Sequence, residues 1–584
     1  MTSYDELEIV SQEDAAAHVG RIGDYLRNHL QPFMVPSNWV VLVTIPMLPS
    51  GKLNSKRIKT WLEDMPEEVN RKISGTNVSS EAAGTIGSEM EGRLQKIWSK
   101  ALDLPLEKTG LETNFLFLGG DSISALQVLS KCRAEGISTN VQDIIRSDSI
   151  RQLATKVSLE KTVVKYAEEE FGRKYGLSPM QKLYFEWVGS KVHHFNQSVV
   201  LRLPSSQSLE NITSALKTLV QSHSMLRANF QKDESGQWTQ MVEKDSARSY
   251  RFTLRPGRSS PSEVTKSIEA SQKGLDIEKG PIFAAVLFES DESGSKVLLL
   301  VAHHLVIDIV SWNIIQQDLE GLLTTKRVRA HKSLPFPTWC QSQEDYTQAE
   351  LYCGLDFEDD VPMTNLSYWG MEKSKNVYGA VRSLELEIDS TTTTKLLGPC
   401  NQSIGSEMID ILLGSILFSF CKTFSDRKAS PAVFNEAHGR EPWNSSLDLS
   451  HTVGWFTTIS PVFLPSEATT ENNIVSAIRW VKDLRSRTRD KGRQYFAHRM
   501  LTKEGRERFS KHWPMEIAFN YSGQEKTAAV RDNSTSLQPM NETSSKFDID
   551  PALPRFALFE ISAGVFNNSL KVSIAFPHNI RRQH

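Results

Sequence analysis

The sequence predicts a multidomain α/β protein. At 584 residues the chain is too long for a single hydrophobic core. The block 176–584 alternates apolar strands such as KVLLLVA with long helical patterns such as MIDILLGSILFSFCKTF, an α/β pattern large enough for two lobes. Two polar stretches, 65–87 and 159–175, lack any periodicity, and we interpret them as linkers that separate three domains.

Composition excludes several classes of protein. A formal net charge of −3 argues against a dedicated nucleic-acid or membrane-surface binder. The five cysteines are scattered without a CxxC pair, which predicts a reducing compartment and no metal site. The N-terminus lacks the charge and apolar core of a signal peptide, and the longest apolar runs are strand-sized. We therefore expect a cytoplasmic protein.

The first two domains are small. Residues 1–64 combine a helical pattern, a strand and a proline-bearing turn before a loop that carries Lys52, and this α+β unit is too small to be an independent enzyme. Residues 88–158 begin with a capping box at Ser88 and continue with apolar residues at helical spacing. A helical unit of about seventy residues suits carrying a group better than enclosing a site.

The stretch FLGGDSISALQVL places Ser122 after a tight turn, at the start of a helix. As a helix cap it needs no function. As a nucleophile it lacks both a histidine in its own domain and the GxSxG pattern, and as a nucleotide phosphate site it lacks a Walker lysine. A covalent attachment point fits, because a helix N-terminus favours an attached phosphate.

Two histidines stand at the end of a strand in KVLLLVAHHLVIDIVSW. Neighbouring strand side chains point to opposite faces, so His303 and His304 are poorly placed to share one metal ion. One is expected to face inward, while the other can face a cleft and transfer protons near pH 7. Two purely structural histidines are the alternative.

Two further clusters carry polar groups. In NEAHGREPW, Glu436 belongs to a dense group of charges beside apolar residues, although an Arg–Glu pair there can be purely structural. In FNYSGQ, Asn520 and Tyr521 at a strand end can donate hydrogen bonds to a developing negative charge. Taken alone, this second stretch is also an ordinary strand-to-turn signal.

Together these motifs resemble a segment of a nonribosomal peptide synthetase. LGGDSISAL is similar to the carrier-protein signature, whose serine receives a 4′-phosphopantetheine arm, and its Asp121 form resembles carriers that precede an epimerization domain. LSPMQ, HHFNQS, HHLVIDIVSW, EAHGRE, DLSHTVGWFT and FNYSGQ occur in the order of the epimerization-domain motifs. The segment LQPFMVPSNWVVLVTIPMLPSGKL resembles the end of an adenylation domain, with Lys52 at its late catalytic lysine.

The resemblance implies a domain map. Residues 1–64 would be an adenylation C-terminal remnant, 88–158 a carrier of the four-helix type, and 176–584 an epimerization domain. The last would consist of two chloramphenicol-acetyltransferase-like α/β lobes around a tunnel. Because the large ATP-binding subdomain has no counterpart in this sequence, we expect no adenylation from this chain alone.

The resemblance also implies roles. His304 and Glu436 would transfer protons from opposite lobes, with Glu436 as the base in the L-to-D direction, and Asn520 and Tyr521 would line the site. His303 would be structural, and Asp308 would brace its loop by an ion pair. The family often has glycine where Ile309 and Ala437 stand and arginine where His451 stands; at Ala437 a positive φ would cost about 1 kcal/mol.

The predicted function is epimerization of an aminoacyl or peptidyl thioester on the arm of Ser122. Two alternatives stay open: a condensation domain of the same fold that joins two thioester-bound substrates, and a non-catalytic carrier with a docking lobe. The implied partners are the thioester substrate, a phosphopantetheinyl transferase and other synthetase modules or the adenylation subdomain. Neither nucleic acid nor a membrane is expected.

Overall fold

A computed structural model provides the structure of the protein. It describes residues 88–158 and 169–580 with gaps, and before residue 62 only 7, 19, 21–22, 40–48, 53–55, 57–58 and 61. The gaps are 103, 116–117, 121, 148, 190–191, 245–247, 258–259, 290–295, 327–332, 350–360, 372–374, 428, 442, 444–446, 466–472, 525–536 and 541–546. Lys52, most of the predicted adenylation remnant and the linker 65–87 lie outside the described residues. Residues 40–48, expected as part of a strand, form only isolated bridges, one of them between Met47 and Leu53.

The carrier region is a small helical bundle. Its helices are α1 (Glu89–Leu102), α2 (Ser122–Ala134), α3 (Val141–Arg146) and α4 (Ile150–Lys156). The Ser88 hydroxyl accepts a hydrogen bond from the Glu91 backbone N–H at 3.2 Å, which satisfies one free donor at the start of α1. The fully buried Trp98 meets Phe115 edge to face at 4.9 Å between ring centroids. These buried rings give a bundle of this size its core.

The first lobe of the larger domain contains a five-stranded sheet, in the order β12-β2-β7-β6-β5, and a small sheet in the order β1-β4-β3. Its strands are β1 (Lys174–Tyr175), β2 (Asn196–Leu203), β3 (Ala228–Lys232), β4 (Trp238–Val242), β5 (Tyr250–Arg255), β6 (Phe283–Glu289), β7 (Lys296–His303) and β12 (Gln538–Pro539). Its helices are α5 (Pro179–Val188), α6 (Leu209–Ser222), α7 (Pro261–Lys273), α8 (Ile309–Thr325) and α9 (Phe336–Ala349). Strand β7 is apolar throughout its centre because both of its faces are covered, with Leu298 and Leu300 in one core and Leu299 and Val301 in another.

The second lobe is built on a six-stranded sheet in the order β10-β9-β11-β13-β14-β8. Its strands are β8 (Val381–Ile388), β9 (Val433–Ala437), β10 (Thr458–Val462), β11 (Met515–Gln524), β13 (Ala557–Phe566) and β14 (Ser569–Pro577). The helices are α10 (Ser390–Lys395), α11 (Asn401–Ile404), α12 (Met408–Thr423), α13 (Ile474–Arg487), α14 (Arg493–Leu501) and α15 (Lys503–Arg508). Strand β11 runs parallel to both of its neighbours, β9 and β13. The predicted α/β fold class is confirmed.

Each lobe has its own hydrophobic core. One core contains Phe434 and Ala518 together with the first-lobe strands, and the other contains Val433, Ile517 and Phe519 beneath the second sheet. Residues 433 and 434 therefore face opposite sides of β9, as do 517 and 518 in β11. One face of the second sheet thus packs toward the first lobe, and this face carries the candidate site.

The positions that depart from the family pattern are accommodated without backbone strain. Ala437 is the last residue of β9 and pairs with Thr458, and its φ is not positive, so the penalty considered above does not arise. Ile309 is exposed at the start of α8. His451 pairs with the buried Asp318 at 2.8 Å between Nε2 and Oδ2.

The glycine that the backbone requires is Gly439, two residues further on. Its φ is +66°, and a Cβ there would lie 1.8 Å from the carbonyl oxygen of Phe456. Both the left-handed conformation and the close approach exclude a larger residue. The turn after β9 is therefore fixed by Gly439.

None of the helices in the described part of the chain has both the length and the apolar character that a bilayer crossing requires. Within the same residues, no group of three or more His, Cys, Asp or Glu side chains is arranged to hold a metal ion.

Candidate active site

His303 points into the first lobe. Its side chain is fully buried, with Nε2 2.9 Å from the Val192 carbonyl oxygen. The Leu305 backbone N–H donates to Nδ1 at 3.2 Å, so Nε2 carries the proton and donates it to Val192. Burial lowers the pKa of His303 to about 3. The ring is thus a neutral structural group at the end of β7.

His304 lies on the other side of the backbone, in a single 3-10 turn. Its ring stacks on Trp455, with centroids 4.1 Å apart, and on Phe195 at 5.4 Å. Nδ1 is 2.8 Å from the Ile307 carbonyl oxygen, and Nε2 is 2.9 Å from the Gln197 side-chain nitrogen. Burial lowers the pKa of His304 below its ordinary value. A half-buried, neutral imidazole held on both nitrogens is the result.

Asp308 connects the His304 loop to the second lobe. Its carboxylate caps α8 by accepting the Ser311 backbone N–H at 2.7 Å. It also accepts Arg440 Nη2 at 2.9 and 3.1 Å and the Phe456 backbone N–H at 3.2 Å. Arg440 is buried and donates further to the carbonyl oxygens of Leu449 and Thr452. Both oxygens of the Asp308 carboxylate thus accept hydrogen bonds from these groups.

The spacing of this ion pair relates the two predicted proton carriers. Asp308 follows His304 by four residues in the first lobe, and Arg440 follows Glu436 by four residues in the second. The buried Asp308–Arg440 pair therefore ties together the two segments on which His304 and Glu436 lie.

Glu436 lies on the face of β9 that is directed toward the first lobe. It shares this face with Phe434, since strand side chains repeat every two residues, whereas Val433 faces the second core. Burial, with a smaller contribution from the neighbouring Glu560 carboxylate, raises the pKa of Glu436 to about 7. A carboxyl group that titrates near neutrality can both take up and release a proton under ordinary conditions.

Glu560 and Tyr378 complete the surroundings of Glu436. Glu560 pairs in register with Ala518, on the same face of the sheet, and its carboxylate meets Arg555 Nη2 at 3.1 Å. Burial raises the pKa of Glu560, and the Tyr378 hydroxyl lies within hydrogen-bonding reach of it. Burial also raises the pKa of Tyr378 well above its ordinary value, so this phenol remains a hydrogen-bond donor.

A series of contacts connects the two predicted proton carriers. The Phe195 ring stacks on His304 and lies 6.3 Å from the Tyr378 ring, centroid to centroid. The negative charges of Glu560 and Glu436 contribute, after burial, to the raised pKa of Tyr378. Phe195 and Tyr378 therefore connect the surroundings of His304 with those of Glu436.

The two candidate residues of FNYSGQ, Asn520 and Tyr521, lie on opposite faces of the second sheet. Asn520 follows Ala518 by two positions, so it lies on the Glu436 face of the second sheet, and its side chain is exposed. Tyr521 follows Phe519 by two positions and packs against the second core. The structure brings Asn520, but not Tyr521, to the face that carries Glu436.

The start of α2 suits an attached phosphate. Ser122 is the first residue of this helix of 13 residues, where backbone N–H groups have no intrahelical partners. Gly119 has a φ of +80°, and a Cβ on Gly120 would lie 2.5 Å from the Phe115 ring. Only glycine fits this turn. The local backbone is therefore compatible with a phosphopantetheine attached at the helix start.

The carrier bundle contacts the larger domain. Arg133 on α2 forms an ion pair with the largely buried Asp448. A Cβ on Gly119 would lie 3.0 Å from the side-chain oxygen of Gln524, the last residue of β11. The turn before Ser122 thus lies against the end of the strand that contains Asn520.

Comparison with known proteins identifies the class. Residues 172–576 match the family model of the condensation domain, and residues 92–157 match that of the phosphopantetheine attachment site. The chain therefore belongs to the condensation-domain family, and it joins this catalytic domain to a carrier domain in the arrangement of nonribosomal peptide synthetases. The carrier domain takes a covalently attached 4′-phosphopantetheine on a serine.

Curated relatives match nearly the whole chain. It is 38% identical over 584 residues to nonribosomal peptide synthetase 4 of Gibberella zeae, which covers 99% of this chain. It is 37% identical over 585 residues to nonribosomal peptide synthetase 1 of Aspergillus fumigatus, again covering 99% of this chain. The chain spans only 8% and 9% of the lengths of these relatives.

Solved structures share the fold. The epimerization domain from the third module of tyrocidine synthetase B has a TM-score of 0.59 at 22% identity, over 72% of this chain and 94% of that one. The X-domain from teicoplanin biosynthesis has a TM-score of 0.52 at 12% identity, over 72% and 93%. At these identities the likeness shows the fold alone.

Several residues of the site escaped the sequence reasoning. Gln197 and Trp455 lie within the motifs HHFNQS and DLSHTVGWFT, which is the sequence signal that could identify them. Arg440 is visible in the sequence only as part of the charged cluster NEAHGREPW. Tyr378 and Glu560 belong to no motif, and only the fold brings them to Glu436.

Proposed function

We propose that the domain spanning the condensation-family match epimerizes the α-carbon of an aminoacyl or peptidyl group carried on Ser122. The observation that supports this most directly is the half-buried Glu436, whose pKa of about 7 provides a second proton carrier in addition to the imidazole of His304. Inversion at carbon needs one group to remove a proton from one face and another to return a proton on the opposite face. Residues contributed by two lobes suit this requirement.

The attached arm would present the substrate as a thioester, whose carbonyl makes the α-hydrogen acidic. In the L-to-D direction the Glu436 carboxylate takes the α-hydrogen as a proton, and the electron pair of the broken C–H bond moves into the carbonyl. The His304 imidazolium returns a proton to the opposite face of the α-carbon. Glu436 ends protonated and His304 ends neutral, and the reverse direction starts from this state.

The pair therefore works with one proton between its two members. Because burial raises the pKa of Glu436 and lowers that of His304, the resting proton is on Glu436 near neutral pH. The opposite distribution is less populated but contains the same number of protons. Both directions thus draw on one singly protonated state.

Charge that develops on the carbonyl oxygen needs a hydrogen-bond donor. Asn520 lies on the same face of the second sheet as Glu436. The protonated Tyr378 hydroxyl is close enough to Glu436 for the carboxylate charge to act on it. We propose these two side chains as donors, with Asn520 retained from the sequence prediction. Tyr521 packs away from this face, and no role in the reaction is proposed for it.

The rival function is condensation of two thioester-bound substrates. Its chemistry, attack by an amine on a thioester, calls for a single base near the amine and has no use for a carboxylic acid that titrates near neutrality. The fold and the histidine motif are compatible with both reactions. Glu436 is the feature that favours epimerization.

The test uses the full chain loaded by a phosphopantetheinyl transferase with an aminoacyl arm, incubated in deuterated water. We expect the wild type to incorporate deuterium at the α-carbon and to produce a mixture of L and D product. Glu436→Gln keeps the shape of the side chain but removes the base, and it should lose at least ~100-fold of this activity. His304→Ala should be comparably impaired.

Each rival predicts a different result. Amide formation with a second thioester donor, without α-hydrogen exchange, would establish condensation. Loading without either reaction would indicate a non-catalytic carrier and docking lobe. Normal exchange in Glu436→Gln would refute the two-residue mechanism.

A further inference from the structure

The hydrogen-bond partners of Gln197 fix the orientation of its amide. The indole Nε1 of Trp312 lies 3.1 Å from Gln197 Oε1. An indole N–H can only donate, so the amide atom that faces it must be the oxygen. The amide nitrogen is thereby directed the other way, toward His304.

This orientation determines the protonation of the His304 ring. Gln197 Nε2 lies 2.9 Å from His304 Nε2, and an amide nitrogen can only donate. His304 Nε2 must therefore contribute its lone pair. On the far side of the ring, Nδ1 is 2.8 Å from the Ile307 carbonyl oxygen, which can only accept. Two independent contacts thus require the proton of the neutral ring to be on Nδ1.

We propose that Gln197, oriented by Trp312, is a positioning residue that holds His304 neutral and keeps the Nε2 lone pair as the proton-accepting atom. An imidazolium would set its Nε2–H against the amide N–H, a contact between two donors. The amide must move aside when substrate reaches Nε2. The role in catalysis rests on the proposed function, whereas the state of the ring does not.

The backbone supports this arrangement. Gln197 is the second residue of β2 and pairs with Ala302 of β7, so its side chain starts beside the strand that ends at the two histidines. Among the described residues, the titratable group whose charge acts on His304 is Asp308, which favours the charged form of the ring, while the adjacent His303 is neutral. Neither contacts Nε2.

The test is nitrogen NMR of the full chain labelled with ¹⁵N-histidine. The signal of His304 is assigned by its loss in His304→Ala, since the chain has 14 histidines. We expect a protonated Nδ1 and a bare Nε2 in the wild type. Gln197→Glu has nearly the same shape but presents an acceptor to Nε2, and it should raise the titration midpoint of His304 by about 1–3 pH units.

Two further variants separate polarity from packing. Gln197→Met keeps the approximate size and removes the donor, so it should raise the midpoint by less than Gln197→Glu. Trp312→Phe frees the amide to turn its oxygen toward Nε2, and it should also raise the midpoint while Gln197 is intact. If Gln197→Glu does not fold, these two variants and the wild-type spectrum still decide the question.

The outcomes keep this inference apart from the proposed function. A wild-type ring with its proton on Nε2, or a midpoint unchanged in every folded variant, would overturn the role of Gln197 even if epimerization is observed. The expected spectra in a protein that does not invert its substrate would overturn epimerization and leave the role of Gln197 in place.

Discussion

Raising the pH from 7 to 9 should separate inversion from hydrogen exchange. Inversion needs one proton on the Glu436–His304 pair, and near neutrality that proton is on Glu436, with a pKa of about 7. Half of the Glu436 side chains are then protonated at pH 7, and about one in a hundred at pH 9, which predicts a loss of inversion of about 50-fold. Exchange should persist, because the Glu436 carboxylate can still remove the α-hydrogen and return a deuteron to the same face.

The assay loads the chain, incubates it in deuterated buffer at several pH values and releases the amino acid from the thioester. Mass spectrometry then measures α-deuterium, and chiral chromatography measures the D fraction. Since thioesters also exchange spontaneously as the pH rises, the double variant Glu436→Gln/His304→Ala provides the background at each pH. The ratio of inversion to exchange, corrected in this way, is the quantity predicted to fall.

The neighbouring carboxylate offers an independent check. After burial, the negative charge of Glu560 is the second cause of the raised pKa of Glu436. Glu560→Gln removes this charge, so the pH at which inversion falls should shift to a lower value. Inversion that stays constant, or that rises in step with exchange between pH 7 and 9, would refute a proton held on Glu436. An unshifted profile in Glu560→Gln would refute the coupling of the two carboxylates.

The carrier and the buried ion pair allow three further predictions. Ser122→Ala should abolish addition of the phosphopantetheine mass, and an arm found on another residue would contradict the carrier assignment. Arg440→Met leaves the Asp308 carboxylate buried without its cation and should cost about 3–5 kcal/mol of unfolding free energy, visible as a lower urea midpoint. Lys503→Met, at an exposed ion pair, is the control and should change stability by less than ~1 kcal/mol. Gly120→Ala forces a Cβ within 2.5 Å of a phenyl ring and should reduce loading by disrupting the turn, so unchanged loading kinetics would argue against a tight turn at Gly120.

Strand periodicity predicted the relative orientation of the two histidines. Alternation required His303 and His304 to point to opposite faces, and the structure buries the first and half-buries the second. The same rule permits only one of Asn520 and Tyr521 to face Glu436, yet nothing in the local sequence says which. That choice depends on which face of the second sheet is covered by the first lobe, and this is a tertiary property.

Other features of the site lay beyond any local pattern. Tyr378 precedes the first strand of the second sheet and Glu560 lies near its last hairpin, so their approach to Glu436 exists only once the six strands are assembled. The pKa of Glu436 is likewise a consequence of burial and of Glu560, neither of which a linear motif contains. The groups proposed to react are therefore found in sequence motifs, whereas the groups proposed to tune them are brought in by the fold.

The segment after β9 shows how the lobes hold these groups in register. Asp448 contacts the carrier through Arg133, and seven residues later Trp455 stacks on His304. Between them in the sequence, the carbonyl oxygens of Leu449 and Thr452 accept hydrogen bonds from the Arg440 guanidinium. The same guanidinium also binds the Asp308 carboxylate. One buried ion pair is thus shared by the His304 loop, the Glu436 strand and the segment that meets the carrier. Because its members have no solvent to replace a lost partner, a change in any one of these segments must be accommodated by the other two.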